Sequence, residues 1–217
     1  MPIFMGPGGA YSSRYIYVDG KFSSDSVASV RLKRLLVSSE HISWHDKSME
    51  FDRVSTFGFF VLPVSAANQL MGYMYSVNLY SDDEHLHVGL FGMKKDKETP
   101  VAFQITVTAL RRHIEPRLFK QALTRIDQGG QVKIGNITFS RDGLRIKGLF
   151  HSNFAAWSST IEIHPSSLRA SFASTQKIHT RDTRNRRHKI GEVGSATPNG
   201  VLVSALIDIC TSRYSTA

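Results

Sequence analysis

The densest chemistry in this chain lies between Lys177 and Lys189. Lys177, Arg181, Arg184, Arg186, Arg187 and Lys189 stand there against a single acid, Asp182, with His179 and His188 among them. Guanidinium groups grouped this closely suit phosphate or carboxylate oxygens, because the planar fork donates two parallel hydrogen bonds. The functional reading is an anionic partner: a nucleic acid, a phospholipid headgroup or an acidic protein surface. The competing reading is a solvated hairpin tip whose charges keep a sheet edge from pairing. No aromatic residue lies between Lys177 and Lys189. Base stacking therefore has no platform there, and nucleic acid is supported only through backbone charge.

Other residues that could do chemistry point less sharply. His85 and His87 share one face of an expected strand, and His41 and His45 lie near Trp44 and Asp46. A zinc site needs three or four converging ligands. The chain has one cysteine, so no Cys pair supports a metal, and none is expected. No Gly-x-Ser-x-Gly, His-Glu-x-x-His, phosphate-binding loop or dinucleotide fingerprint occurs. Asp82-Asp83-Glu84 reads as a hairpin turn rather than a pair of catalytic acids. No catalytic residue is nominated and no cofactor is expected. Cys210 sits in the apolar run from Val201 to Cys210 and reads as a small buried hydrophobe.

The elements that must position these residues follow from composition and pattern. With 217 residues, 41% hydrophobic and 21% charged, the chain can bury one or two cores. The net charge is +9, and residues 128–217 carry twelve Lys and Arg against five Asp and Glu. The basic character therefore belongs mainly to the second half. The apolar region from Phe57 to Tyr80 is interrupted by Pro63, Asn68, Gln69, Gly72 and Asn78. It reads as strand, connection and strand, not as a membrane helix. No secretory leader is recognised at Met1, and a cytoplasmic location is expected.

Residues 1–13 read as a flexible tail and Arg14–Val18 as a short strand. Single strands are expected over 30–37, 40–44, 49–57 and 73–80, with 86–91 completing a hairpin through the acidic turn. A strand is also possible over 101–107. The spacing of Ala109, Leu110, Ile114, Leu118, Ala122, Leu123 and Ile126 predicts a helix over about 108–126, kinked or restarted at Pro116. Gly129-Gly130 marks a domain boundary. Strands follow at 132–140, 144–147, 153–163 and 167–173, with Trp157 inside the third. A basic hairpin is expected over 175–191, turning near Thr183-Arg184-Asn185. A last helix over about 199–212 has Asn199 as its N-cap.

The two halves share this plan. Leu35–Ile42 aligns with Ile137–Leu144, and each half ends in an amphipathic helix. The expected fold class is α+β: two units, 14–128 and 131–213, each a strongly bent antiparallel sheet of about seven strands closed by a helix. The strand Ile137–Ser140, the turn Arg141-Asp142-Gly143, Ala156-Trp157-Ser158 and Pro198-Asn199 carry a resemblance to the pleckstrin-homology-like (PH-like) superfold. More specifically, the chain resembles bacterial PH-like domains of unknown function. The resemblance implies seven strands and a C-terminal helix per unit, and it implies no single activity. Lys133-Ile134-Gly135 with Arg145-Ile146-Lys147 is similar to a phosphoinositide signature. The first turn is placed later, at Asp142-Gly143, so the signature is not assigned.

The leading expectation is a non-enzymatic interaction module that binds a protein or anionic surface through the basic hairpin. One alternative is a small-molecule hydrolase or transferase with a site between the halves, using His41, His45, His85 or His87. Another is an assembly protein whose helices pair between chains. Nothing in the pattern specifies an oligomeric state.

Overall fold

Alternation drives the first large sheet. Tyr75, Val77 and Leu79 face one way, and so do Leu86, Val88 and Leu90, and all six are buried. The computed structural model describes residues 30–32, 34–148, 151–167, 174–182, 184–194 and 196–215. The expected tail, the strand at 14–18 and most of the expected strand 167–173 lie outside these residues.

The fold is α+β with antiparallel sheets. A four-stranded meander comes first: β1 (Val30–Leu32), β2 (Leu35–Val37), β3 (His41–Trp44) and β4 (Lys47–Glu50). A three-stranded meander follows: β5 (Thr56–Ala66), β6 (Gln69–Tyr80) and β7 (His85–Met93). Helices α1 (Glu98–His113) and α2 (Glu115–Asp127) come next. The second half repeats the order. It has a four-stranded meander of β8 (Val132–Ile134), β9 (Ile137–Phe139), β10 (Gly143–Lys147) and β11 (Ser152–Ala156). A three-stranded meander of β12 (Ile161–Ser167), β13 (Ser174–Arg181) and β14 (Arg187–Gly194) follows, and then α3 (Val203–Tyr214).

Several expectations are corrected. The described strands form four small sheets, not one seven-stranded sheet per half. Residues 30–37 turn back on themselves, with Leu32 paired to Leu35. Residues 132–140 do the same, with Ile134 paired to Ile137. The turn there uses Gly135 at φ +59, a conformation that suits glycine. The first hairpin of the second half thus turns at Gly135-Asn136, not at Asp142-Gly143. The expected strand 49–57 is broken by a short 3-10 turn at Phe51–Arg53. The possible strand 101–107 is helix: Asp96 accepts hydrogen bonds from the backbone N–H groups of Glu98 and Thr99, which starts α1 early. Of the two outcomes expected at Pro116, the restart holds: Pro116 lies in the first turn of a second helix. Trp157 lies just beyond β11, is 1% exposed, and donates its indole N–H to the Ser140 carbonyl at 2.9 Å.

One turn recurs in both halves. The Ser38 N–H and hydroxyl both donate to the His41 carbonyl, at 3.0 and 3.1 Å. Those of Ser140 both donate to the Gly143 carbonyl, at 2.9 and 3.0 Å. The pairs Leu35/Ile137, Val37/Phe139, Ser38/Ser140 and Ile42/Leu144 share one offset, and the six apolar members are essentially fully buried.

The buried apolar side chains of both halves belong to one cluster. Asn199, half-buried, joins the halves. It stands at the expected N-cap position, before the 3-10 turn that leads into α3, but at φ 59 and with no side-chain cap bond. Its N–H donates to the Phe57 carbonyl at 2.7 Å, and its Oδ1 accepts the Phe57 N–H at 3.1 Å. Its Nδ2 also donates to the Ser55 carbonyl. Asn199→Ala should cost about 2–3 kcal/mol, from two side-chain hydrogen bonds and a left-handed backbone that alanine resists. Asn199→Gly should cost about 1 kcal/mol less, because it keeps the backbone conformation. Chemical unfolding midpoints of the two variants check this.

His113 ends α1 stacked on Phe51, with ring centroids 5.7 Å apart. Its buried Nε2 has no hydrogen-bond partner among the described residues. Burial, and then the charge of Arg112, hold its pKa below the ordinary histidine value. The neutral form is thus the folded form. Stability should be complete above about pH 6.5 and fall as the pH drops below it, because the unfolded chain takes up the proton first. Thermal melts at pH 7.5 and 5.5 should differ less for His113→Gln than for the native chain.

Candidate functional site

The basic run folds as the hairpin the spacing predicts. β13 and β14 pair antiparallel, with Arg181 opposite Arg187 and His179 opposite Lys189. Asn185 takes a left-handed conformation at the tip, φ 61. Ile178 is 0% exposed and Val193 is 4% exposed, so one face of the hairpin joins the core. Alternation then sends Lys177, His179 and Arg181 to the outer face.

Cross-strand register fills that face from three strands. Glu162 on β12 lies opposite His179, and His164 lies opposite Lys177. Glu192 on β14 also lies opposite Lys177. Glu162 is the hub. It accepts the Arg181 Nε–H at 2.5 Å, meets His164 Nε2 at 3.2 Å, and lies 3.6 Å from Arg187 Nε. These hydrogen bonds, that of Arg181 first, hold its carboxyl below the usual glutamate range. His164 and His179 meet edge to face at 5.4 Å. Burial and the neighbouring Arg187 hold His179 below its ordinary value.

Asp182 organises the tip. Its Oδ1 accepts the backbone N–H groups of Arg184 and Arg186 at 2.9 and 2.8 Å. Its Oδ2 accepts Arg186 Nε–H at 2.8 Å and lies 3.1 Å from His188 Nε2. The Arg186 backbone bond is the largest of the causes that lower its pKa to about 2. Lys189 pairs with Glu192 at 2.6 Å.

The six expected cations are therefore brought together, but not as bare charge. Arg181 and Arg187 share Glu162, Arg186 holds Asp182, and Lys189 holds Glu192. Lys177 and Arg184 make no salt bridge among the described residues. Glu162 and Glu192 fall outside the Lys177–Lys189 window, and reading that window alone missed them. The alternation Ile161-Glu162-Ile163-His164 carried the signal, since it places Glu162 on the same outward face.

Of the histidines considered for other chemistry, His85 and His87 lie side by side on one strand face, with ring centroids 6.5 Å apart. His41 meets Ser38, and His45 meets Arg34. His87 meets the Ser76 hydroxyl at 3.0 Å, while His85 stacks on Tyr80 at 4.3 Å. No group of three or more His, Cys, Asp or Glu among the described residues is placed to hold a metal. A cleft of about 470 Å³ lies over β9–β11, with Arg141, Arg145 and Phe154 in its lining, and none of those four histidines lines it. Arg145 stands over the Phe154 ring at 5.6 Å, which holds that cation on the sheet surface. Cys210 is fully buried, and burial pushes its thiol up to about 11. No described helix is long and apolar enough to cross a membrane.

Compared with known proteins, the chain matches no protein-family model and no curated protein.

The tip makes a pH prediction. With Asp182 titrating near 2 rather than near 4, its contribution is present above the ordinary aspartate pKa. It is lost as the pH falls through about 2. Amide NMR shifts of Arg184 and Arg186 should follow one transition near pH 2, and Asp182→Asn should abolish it.

Proposed function

We propose that the chain is a pair of tandem PH-like units, 14–128 and 131–213, acting as a non-enzymatic interaction protein. The repeated order of a four-stranded meander, a three-stranded meander and a closing helix supports the tandem reading. So does the Ser38/Ser140 turn, which recurs at a single offset with the same hydrogen bonds. The partner is an acidic protein or phosphate-bearing surface, docked on the outer face of β12–β14.

One observation carries the docking reading. Six cations project onto or beside a single sheet face that offers only Glu162, Asp182 and Glu192 in return. The internal pairs fix the side chains of Arg181, Arg186 and Arg187 while leaving the face net positive. Ordered guanidinium groups lose less freedom on binding than free ones. Arg184 at the exposed tip and Lys177 within the sheet are the cations left for a partner's oxygens.

Binding of a fluorescent poly-glutamate peptide and of polyphosphate should weaken steeply between 50 and 500 mM salt. Arg184→Gln with Arg186→Gln and Arg187→Gln should weaken it roughly tenfold or more, at about 1 kcal/mol or less per removed exposed charge. Lys177→Gln with Arg184→Gln breaks no salt bridge and should give a smaller loss in the same direction. Binding that ignores both salt and these variants removes the proposal.

A further inference from the structure

The apolar end of the outer face of β5–β6–β7 is used by nothing described above. Register sets Leu62, Met74 and Phe91 side by side across its three strands, and the next row ends in Met93. These side chains are 36%, 42%, 47% and 61% exposed, and Met71, the bulged residue next to Gly72, is 44% exposed. Five of the eight exposed large apolar side chains among the described residues thus lie in one sheet, which makes a patch rather than scatter.

The same face changes character along its length. Towards the β6–β7 turn it carries Ser76, Asn78 and Tyr80, with His87 and His85 opposite the last two. The turn itself carries Asp82, Asp83 and Glu84, and it stays net negative although Arg53 pairs with Asp83 and Glu84. The apolar end is bordered by the loop into α1, which carries Lys94, Lys95 and Lys97, all exposed. Lys94 N–H donates to the Met71 carbonyl at 3.1 Å, which ties that loop to the patch. None of the three lysines makes a salt bridge among the described residues. The intervening acid, Asp96, is turned onto the start of α1, where it meets Thr99 through both carboxylate oxygens. Glu98 is the exposed acid of this loop region, and Asp96 is half-buried.

We propose that this end of the sheet docks on an anionic lipid bilayer. Met71, Met74, Phe91, Met93 and Leu62 enter the boundary between headgroups and acyl chains, and Lys94, Lys95 and Lys97 meet the headgroup charge. Long lysine stems let the ammonium groups stay among the phosphates while the apolar row lies deeper. The acidic turn at the far end fixes the orientation, because it is repelled by the same surface. The chemistry of the patch separates a bilayer from the other occupants. Methionine and phenylalanine suit either occupant, so the border decides: protein interfaces deplete Lys, whereas three exposed lysines edge this row. A second copy stacked apolar end on apolar end would bring two lysine loops together. Reversed, it would lay the apolar end on the polar end. This surface is separate from the basic hairpin, and the inference does not rest on that reading.

Co-sedimentation of the full chain with phosphatidylcholine vesicles, with and without 30% phosphatidylserine, tests it. Binding should be at least tenfold tighter to the anionic vesicles. Phe91→Ser with Met93→Ser should weaken it tenfold or more, and so should Lys94→Gln with Lys95→Gln and Lys97→Gln. Phe91→Trp should show a blue-shifted emission that brominated lipid quenches, a direct reading of insertion that does not depend on the folding of the multiple variants. The proposal falls if anionic vesicles are not bound, or if bound vesicles leave the Phe91→Trp emission unchanged. It also falls if light scattering without lipid shows a dimer that Phe91→Ser dissolves, which assigns the patch to a second copy. Loss of vesicle binding only on neutralising Arg184, Arg186 and Arg187 would transfer the lipid site to the hairpin and overturn this inference alone.

Discussion

The structure depends on how its short meanders close. A three- or four-stranded sheet of this size buries one face and leaves an end that water would enter. The helices supply the missing apolar surface. α1 lies against β1, β6 and β7 and buries Ala102, Phe103, Val107 and Leu110. α3 packs on β12 and buries Val203, Leu206, Ile207 and Cys210. The two sheets of the second half also approach closely. A Cβ on Gly191 would sit 2.6 Å from Ile146, so only glycine permits β14 to lie there over β10. Closure at each end is what frees the outward sheet faces to carry charge in one half and exposed methionines in the other.

The extra helix of the first half has its own role. α2 contacts β8, so it serves the strand that opens the second half. Arg117 reaches from α2 to the carbonyls of Phe51 and Val54 at the break between β4 and β5, where the Phe51 carbonyl also accepts the Val54 N–H. At the other end of α2, Asp127 accepts hydrogen bonds from Arg213 and Tyr214 at the end of α3. Together with Asn199 on β5, these contacts tie the last segment of the chain to elements far earlier in sequence. The single buried cluster is their apolar counterpart.

Period-two alternation explains what was legible. The β6–β7 hairpin and the basic hairpin each place apolar residues on one side and end in a polar turn, and both were readable from that pattern. The misreadings share a physical cause. The turns between Leu32 and Leu35 and between Ile134 and Ile137 are only two residues long, so each hairpin looks like one continuous strand. Val101–Val107 is rich in β-branched and aromatic side chains and resembles a strand. Tertiary burial of Ala102, Phe103, Thr106 and Val107 overrides that propensity, and the Thr106 hydroxyl is satisfied by the Ala102 carbonyl one turn back at 2.8 Å. Asn199 has the composition of a cap, yet its left-handed backbone and its partners on β5 are set by residues more than a hundred positions away.

The charge of the basic hairpin illustrates the same limit for function. A window in sequence counts only the charges along one hairpin, whereas a sheet face counts across neighbouring strands. Glu162 enters from β12 and holds two arginines that the window leaves unopposed. This pairing lowers the potential of the face and also fixes where its donors point. Its net effect on an anionic partner depends on which matters more. For a diffuse field, screened over about 10 Å at 0.1 M salt, the lost charge dominates. For forked hydrogen bonds to phosphate or carboxylate, made at contact, fixed direction dominates. On the docking proposed above, the arrangement around Glu162 therefore suits short-range contact with discrete oxygens better than long-range attraction. It also makes Arg184, outside those pairs, the residue best placed to extend the face towards a partner.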